Sequence, residues 1–445
     1  MVINHCGKII LQCITKMYHQ ASLSQCQGKT VNTATNQLIN QQNPDFQHQN
    51  ANAWLMPDGV EDLLSHQALK QENLRHDLLT ILTAYGYELV SPPLIEFTES
   101  LLGHATEDLK RQTFKIIDQL TGRSMGVRAD ITPQIARIDA NLQNRKLPIQ
   151  STVARYCYAG HVVYTLPKGL FGSRMPLQLG AEIFGANGLS ADLEILKLLL
   201  ALLDHNQLTK RCHLDIGHVA IFQTLSQLAD LPLYTKEQLI DLYNNKALPE
   251  LEDFCQKLAK TSPYAQDFYV LGEFSNDLAK LEEKLSTTAK SHPVIRQALD
   301  ELSVLIAHLQ NCNIGISVDI SSLKGYHYHT GMVFNVYVAN EPLPIVRGGR
   351  YVNPFAKNLR QATGFSCDLT RWQQYIDNPK KMLTVVPFLA DTDLSDALLK
   401  QREQAIDALR QQGQAVIVAL SEQDNTTLAT HTLVYADGKW QQKAL

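Results

Sequence analysis

Pro176-Leu177-Gln178-Leu179-Gly180-Ala181-Glu182-Ile183-Phe184 is the stretch on which the fold turns. Its residues alternate with the period of a strand, so Leu177, Leu179, Ala181 and Ile183 share a core face. Gln178, Gly180 and Glu182 share the opposite face, and at about 3.4 Å per residue the two polar side chains stand roughly 13 Å apart. Gly180 leaves a side-chain-free gap between them. Two polar hooks around a gap can floor a small-ligand pocket. A solvent-facing strand with incidental polar residues is the plainer alternative.

A second strand-like run, with Val153, Tyr156 and Val162, precedes this one, and Pro167, Gly169, Gly172 and Pro176 mark the loop between them. Further upstream lies Val127-Arg128-Ala129-Asp130-Ile131-Thr132-Pro133-Gln134, where Thr132 reads as the cap of a helix that starts at Pro133. Asp130 then stands just before a helix start, where a carboxylate suits a ligand ammonium; a solvated capping aspartate accounts for the stretch equally well. Asp58 and Glu61 read as a capping box, opening a helix through Leu63, Leu64, Leu74, Leu78, Leu79 and Leu82 that Gly86 ends. A strand at Tyr87 to Val90 runs into Pro92-Pro93.

On the other side, an apolar helix is predicted over about 190–204 and an all-helical region over about 219–310. Strands follow at Ile314 to Ile320 and Met332 to Val338. The last segment offers a strand at Leu383, a helix from Ser395 to Gln411, a strand from Ala415 and a hairpin at Asp437-Gly438.

The chain has 445 residues, too many for one core. With 44% hydrophobic and 19% charged residues it reads as an ordinary globular protein, and a net charge of -4 gives no field to gather nucleic acid. The eight cysteines are scattered without metal-ligand spacing and read as reduced thiols of a cytoplasmic protein. No apolar run is long enough to span a bilayer. Residues 1–50, rich in Gln, Asn, Thr and Ser, are expected to be disordered.

Two further stretches carry chemistry-bearing residues. Arg347-Gly348-Gly349-Arg350-Tyr351 reads as a basic glycine loop that permits close approach to an anion. Tyr326-His327-Tyr328-His329 is dense in aromatic and imidazole groups, but no acidic or cysteine partner stands at zinc spacing, so no metal is expected. Phosphate-cradling glycine motifs are missing, and no cofactor is expected.

In this order and spacing the pieces resemble the histidyl-tRNA synthetase core over about residues 54–375, and within that superfamily the regulatory subunits of ATP phosphoribosyltransferase. Leu55 to Leu64 is similar to the family's N-terminal signature, and the helix, strand and Pro92-Pro93 to motif 1, its dimerisation element. Val127 to Arg137 is similar to the histidine amine-binding segment, and Arg174 to Gly185 to the end of motif 2. The resemblance implies an α+β fold, a class II synthetase antiparallel sheet flanked by helices. It implies a core over 51–378 with the helical insertion, and a small α/β domain over 379–445. It also implies histidine contacts from Asp130, which replaces the usual glutamate, and from Thr132, Gln178, Glu182, Tyr328 and His329.

The departures point away from aminoacylation. Val163 is matched to the motif 2 arginine that meets the ATP α-phosphate, and losing such a donor typically costs about 3 kcal/mol or more. Lys324 stands for a catalytic arginine and lacks its bidentate fork. His327 and His329 replace an aspartate and a tyrosine, whereas Arg371 keeps the motif 3 position. The tail from about 380 is shorter than a full anticodon-binding domain and is not basic.

The expectation is a non-catalytic regulatory subunit. By resemblance it would dimerise through motif 1 and bind a short-form catalytic ATP phosphoribosyltransferase subunit in a hetero-octamer. It would activate the first step of histidine biosynthesis and pass on feedback inhibition by L-histidine. A working histidyl-tRNA synthetase is the alternative, as is a paralogue that binds an amino acid for another partner.

Overall fold

The computed structural model describes residues 55–144, 152–167, 172–273, 277–323, 328–377, 382–388, 394–421, 424 and 429–445; Lys324 and His327, singled out above, lie outside them. The chain divides into Met1–Val60 and Glu61–Leu445, and the second unit holds every element below.

Leu74, Leu78, Leu79 and Leu82 recur three to four residues apart, so they form one buried stripe of helix α1, Ser65–Ala84. The capping box read at Asp58 and Glu61 does not form. Leu64 takes the cap position in extended conformation without a side-chain bond, and the helix begins seven residues after Asp58. The stop is as read: Gly86 has φ +84°, a conformation that favours glycine.

Strands β1 (Glu88–Leu89), β2 (Ile95–Phe97), β3 (Phe114–Ile117) and β4 (Ser124–Val127) follow, then helix α2 (Thr132–Asn144). Next come β5 (Ala154–His161), β6 (Leu177–Phe184), helix α3 (Leu189–His205) and β7 (Cys212–His218). A run of helices opens with α4 (Val219–Leu228) and closes with α5 (Pro293–Leu309). Strands β8 (Gly315–Val318), β9 (His329–Val338), β10 (Val346–Val352) and β11 (Gln361–Asp368) complete the large sheet.

That sheet has the order β1-β5-β6-β11-β10-β9-β7-β8. Its interior pairs are antiparallel, and the edge strands β1 and β8 pair parallel with β5 and β7. Behind it, Leu179, Ala181 and Ile183 join the main core with Leu78 of α1, Ile195, Leu198 and Leu202 of α3, and Leu302 and Leu305 of α5. In front, Ile131, Ile135 and Ala136 at the start of α2 form a second cluster with Tyr156, Tyr158, Phe184 and Tyr351. β6 is therefore buried along its whole length, and the face carrying Gln178 and Glu182 is covered rather than open to solvent.

A separate four-stranded sheet is built from β12 (Leu383–Val386), helix α6 (Asp396–Gln411), β13 (Ala415–Val418), β14 (His431–Ala436) and β15 (Lys439–Ala444), in the order β13-β12-β14-β15. Asp437 and Gly438 both have positive φ, which matches a two-residue hairpin turn with the strand twist. Ile406 of α6 packs on Val386 and Leu433.

Candidate functional site

Four segments distant in sequence converge on the covered face of β6. Gln178 is clamped at both ends of its amide: its Oε1 accepts from the Ile131 N–H at 3.0 Å, and its Nε2 donates to Asp130 Oδ1 at 2.8 Å. That Asp130 oxygen also accepts the Thr132 N–H at 3.1 Å. Asp130 thus does the capping expected of Thr132, whose hydroxyl is spent elsewhere. It donates to Glu182 Oε1 at 3.1 Å and lies 2.8 Å from the Tyr158 hydroxyl. Tyr351 of β10 donates to the other Glu182 oxygen at 3.0 Å.

Glu182 is 1% exposed, and burial pushes its carboxyl up to about 8. The Tyr351 and Thr132 hydrogen bonds pull the other way, and the Asp130 charge adds to the rise. Among the described residues the influences on this carboxyl are burial, two hydroxyls and the Asp130 charge, none of them a cation. At neutral pH this carboxyl is largely protonated, an arrangement found where a protein positions an acid to meet a ligand.

The gap at Gly180 is real but not empty. A Cβ there would stand 2.3 Å from Cζ and the hydroxyl of Tyr158, its register partner on β5, so glycine is required to seat a tyrosine. Burial raises that phenol far above its ordinary range, with the Glu182 and Asp130 carboxylates adding to the effect. Beside it, the Tyr328 ring stacks on Tyr351 with centroids 4.4 Å apart, and His329 meets Tyr328 edge-on at 5.5 Å. Tyr328, His329, Asp130, Thr132, Gln178 and Glu182 therefore gather in one place.

Residues 346–352 form a central strand, not a loop. A Cβ at Gly348 would come 2.4 Å from the Phe334 ring, and at Gly349 2.6 Å from the Met332 carbonyl; both glycines serve close packing. Alternation sends Tyr351 forward to Glu182 and Arg350 backward. There Arg350 joins Asp192 of α3 and Glu301 of α5, with 3.0 Å to the latter. His218 also bonds Glu301, at 3.3 Å. Glu301 is held down to about 2, first by His218, against burial, and further by Arg350. This network ties the helices behind the sheet to the strand that carries Tyr351.

Val163 is half-buried, and its N–H donates to the Arg128 carbonyl. Its neighbours on both sides, Val162 and Tyr164, pack in the cluster with Ile131 and Tyr158. Burial raises the Tyr164 phenol, Asp130 and Asp368 push it the same way, and Arg347 opposes them. The side chains of this segment that reach the cluster carry no charge. Arg371 turns its guanidinium to the Leu343 and Pro344 carbonyls at 3.0 and 3.1 Å. Tyr158 and Tyr164 were not among the residues read as a site, and Tyr351 was read only as part of a glycine loop; pairing the Gly180 gap with its cross-strand neighbour was the signal that could have found Tyr158.

Among known proteins, the histidyl-tRNA synthetase family pattern matches residues 59–371, and that of the ATP phosphoribosyltransferase subunit HisZ C-terminal domain matches residues 396–443. An ATP phosphoribosyltransferase regulatory subunit of Psychrobacter cryohalolentis is 49% identical over 397 residues, 88% of this chain and 100% of its own. A protein of the same name from Acinetobacter baylyi is 41% identical over 87% of this chain and 97% of its own. Two solved structures share the fold. A histidyl-tRNA synthetase from Nostoc has a TM-score of 0.68 at 16% identity, covering 88% of this chain and 97% of its own. A Bacillus halodurans protein described as an ATP phosphoribosyltransferase regulatory subunit/histidyl-tRNA synthetase has a TM-score of 0.66 at 22% identity, covering 82% and 92%.

Proposed function

The chain belongs to the histidyl-tRNA synthetase family and, within it, to the regulatory subunits of ATP phosphoribosyltransferase, and from that premise we propose that it senses L-histidine through the Glu182 pocket. It is a regulatory subunit of the enzyme that opens histidine biosynthesis. In this reading it docks a short-form catalytic subunit, raises the rate of phosphoribosyl transfer to ATP, and lowers that rate when histidine binds. Asp130 and Gln178 hold the ligand ammonium, and the Glu182 carboxyl, with Thr132, Tyr328 and His329 around it, meets the imidazole.

The observation that carries the reading is the pairing of an intact acidic cradle with an uncharged motif 2 segment. Asp130, Thr132, Gln178 and Glu182 are joined in one hydrogen-bonded set. Val163 and Tyr164 stand where phosphate chemistry calls for a cation that neither supplies. Aminoacylation is accordingly lost, and the pocket serves recognition alone. The scaffold forms a homodimer through the motif 1 region and works in the cytoplasm. Histidine control then rests on a difference in histidine affinity between two states of the assembly, typically a coupling of about 1 to 3 kcal/mol.

The test is reconstitution with a short-form catalytic subunit from the same source, following product formation from ATP and phosphoribosyl pyrophosphate with and without histidine. Activation by the chain and its reversal by histidine are expected. An unchanged rate refutes the assignment, and histidine-dependent exchange of pyrophosphate into ATP by the chain alone refutes the loss of aminoacylation chemistry.

A further inference from the structure

The proposed amino-acid site has an acid at one end, and β10 places in register with Gly180 an arginine whose side chain has no partner among the described residues. Arg347 pairs with Ser366 of β11, and Ser366 with Gly180 of β6, so all three project from the face that carries Gln178 and Glu182. Two strand spacings of about 4.8 Å separate Arg347 from Gly180, a span that an arginine side chain largely covers. Arg347 keeps surface accessible to solvent although burial pushes its guanidinium below the ordinary range, and among the described residues its side chain makes no hydrogen bond or ion pair. The neighbouring cations are committed: Arg350 to Asp192 and Glu301 behind the sheet, and Arg371 to two backbone carbonyls.

Asp130 and Arg347 flank Tyr164 with opposite sign and do not pair with each other. Tyr164 responds to both, raised by the carboxylate and lowered by the guanidinium. An exposed arginine in the middle of a sheet face is poorly placed for packing and well placed for an anion, because its fork offers two parallel donors to a carboxylate. A free α-amino acid is a zwitterion, and it needs a cation as well as an acid.

We infer that Arg347 is the carboxylate anchor of the amino-acid site: Asp130 and Gln178 take the ammonium, Arg347 takes the α-carboxylate, and Tyr164 lies between them. The inference rests on the histidine-sensing reading above and adds the selection of a free amino acid over a carboxylate-lacking analogue. The same guanidinium chemistry would equally serve a phosphate, and the experiment separates the two.

L-Histidine and L-histidinol, which lacks the carboxylate, are titrated calorimetrically into the full chain and into its complex with the catalytic subunit. Wild type, Arg347→Gln and Arg347→Lys are compared, with circular dichroism confirming that each variant is folded. The expected result is a preference of wild type for histidine of about 10- to 100-fold, the range of a charge-assisted bond. Arg347→Gln should lose that preference while binding histidinol as wild type does, and Arg347→Lys should fall between.

An unchanged histidine-to-histidinol ratio in Arg347→Gln overturns the anchor while leaving the pocket in place. If the same variant instead loses binding of inorganic pyrophosphate, Arg347 serves a phosphate and the carboxylate assignment is wrong. Wild type that binds no histidine in either form removes the pocket reading together with the anchor.

Discussion

Replacing Glu182 by glutamine keeps its shape and one acceptor oxygen and removes its titration, and the consequence can be worked out from the structure. Burial raises the folded-state carboxyl from 4.5 to about 8. Below pH 4.5 folded and unfolded chains both hold the proton, and the group costs nothing. As pH rises from 4.5 towards 8 the unfolded chain releases its proton while the folded chain resists, so stability falls through this window and levels off above it. At about 1.4 kcal/mol per unit, the full penalty is on the order of 4 to 5 kcal/mol. Thermal midpoints of wild type and Glu182→Gln, followed by circular dichroism from pH 5 to pH 8.5, should therefore diverge. The two should lie close at pH 5, and the variant should be several degrees higher at pH 8. Every other titrating group is common to both proteins, so the difference curve isolates this one carboxyl. Parallel curves would show that Glu182 ionises freely and that the buried-acid argument fails.

Arg350→Ala leaves the fully buried Asp192 and the neighbouring Glu301 without their cation, and urea unfolding should show a loss of about 3 to 5 kcal/mol. A loss under 1 kcal/mol would mean the network does not brace the sheet. Gly180→Ala drives a Cβ against Tyr158 and to 2.6 Å from the Phe365 carbonyl, so a destabilisation of about 1 to 3 kcal/mol with weakened histidine binding is expected. Wild-type stability there would show that Tyr158 can move aside. Thr132→Val removes one hydrogen bond to Glu182 and one to Tyr158, and equilibrium denaturation should register about 1 to 3 kcal/mol for the groups left unsatisfied. A neutral result would show that Glu182 and Tyr158 find other partners when the hydroxyl is gone.

The elements whose pattern is local were legible in the sequence. The alternation around Gly180 gave β6, the leucine spacing with Gly86 gave the end of α1, and Asp437-Gly438 gave the last hairpin. The start of α1 was not legible, because leucines at helical spacing extend past the point where the chain stops being helical. The glycines of β10 read as a loop because their requirement comes from Phe334 and Met332 on the adjacent strand, and no window of β10 contains it. Tyr158 was hidden for the same reason. The gap it fills lies on β6, and only the register of β5 shows that the two meet. Individual candidate residues could be found one at a time; that Asp130, and not Thr132, caps α2 depends on Thr132 having Glu182 and Tyr158 to bond instead.

An uncharged motif 2 segment has two effects that reinforce each other. A guanidinium near Glu182 would hold its carboxyl ionised by direct attraction and would draw phosphate into the groove. With Val163 and Tyr164 in that segment, the influences on Glu182 are burial, two hydroxyl donors and a like charge, and the acid retains its proton near neutrality. Arg347, a cation on that face, stands two strands from Gly180. A face with a protonated acid at one end and the Arg347 guanidinium at the other suits a small zwitterion. Under the proposed function, substitutions that remove a phosphate-stabilising cation would abolish the chemistry and leave recognition of a small zwitterion in place.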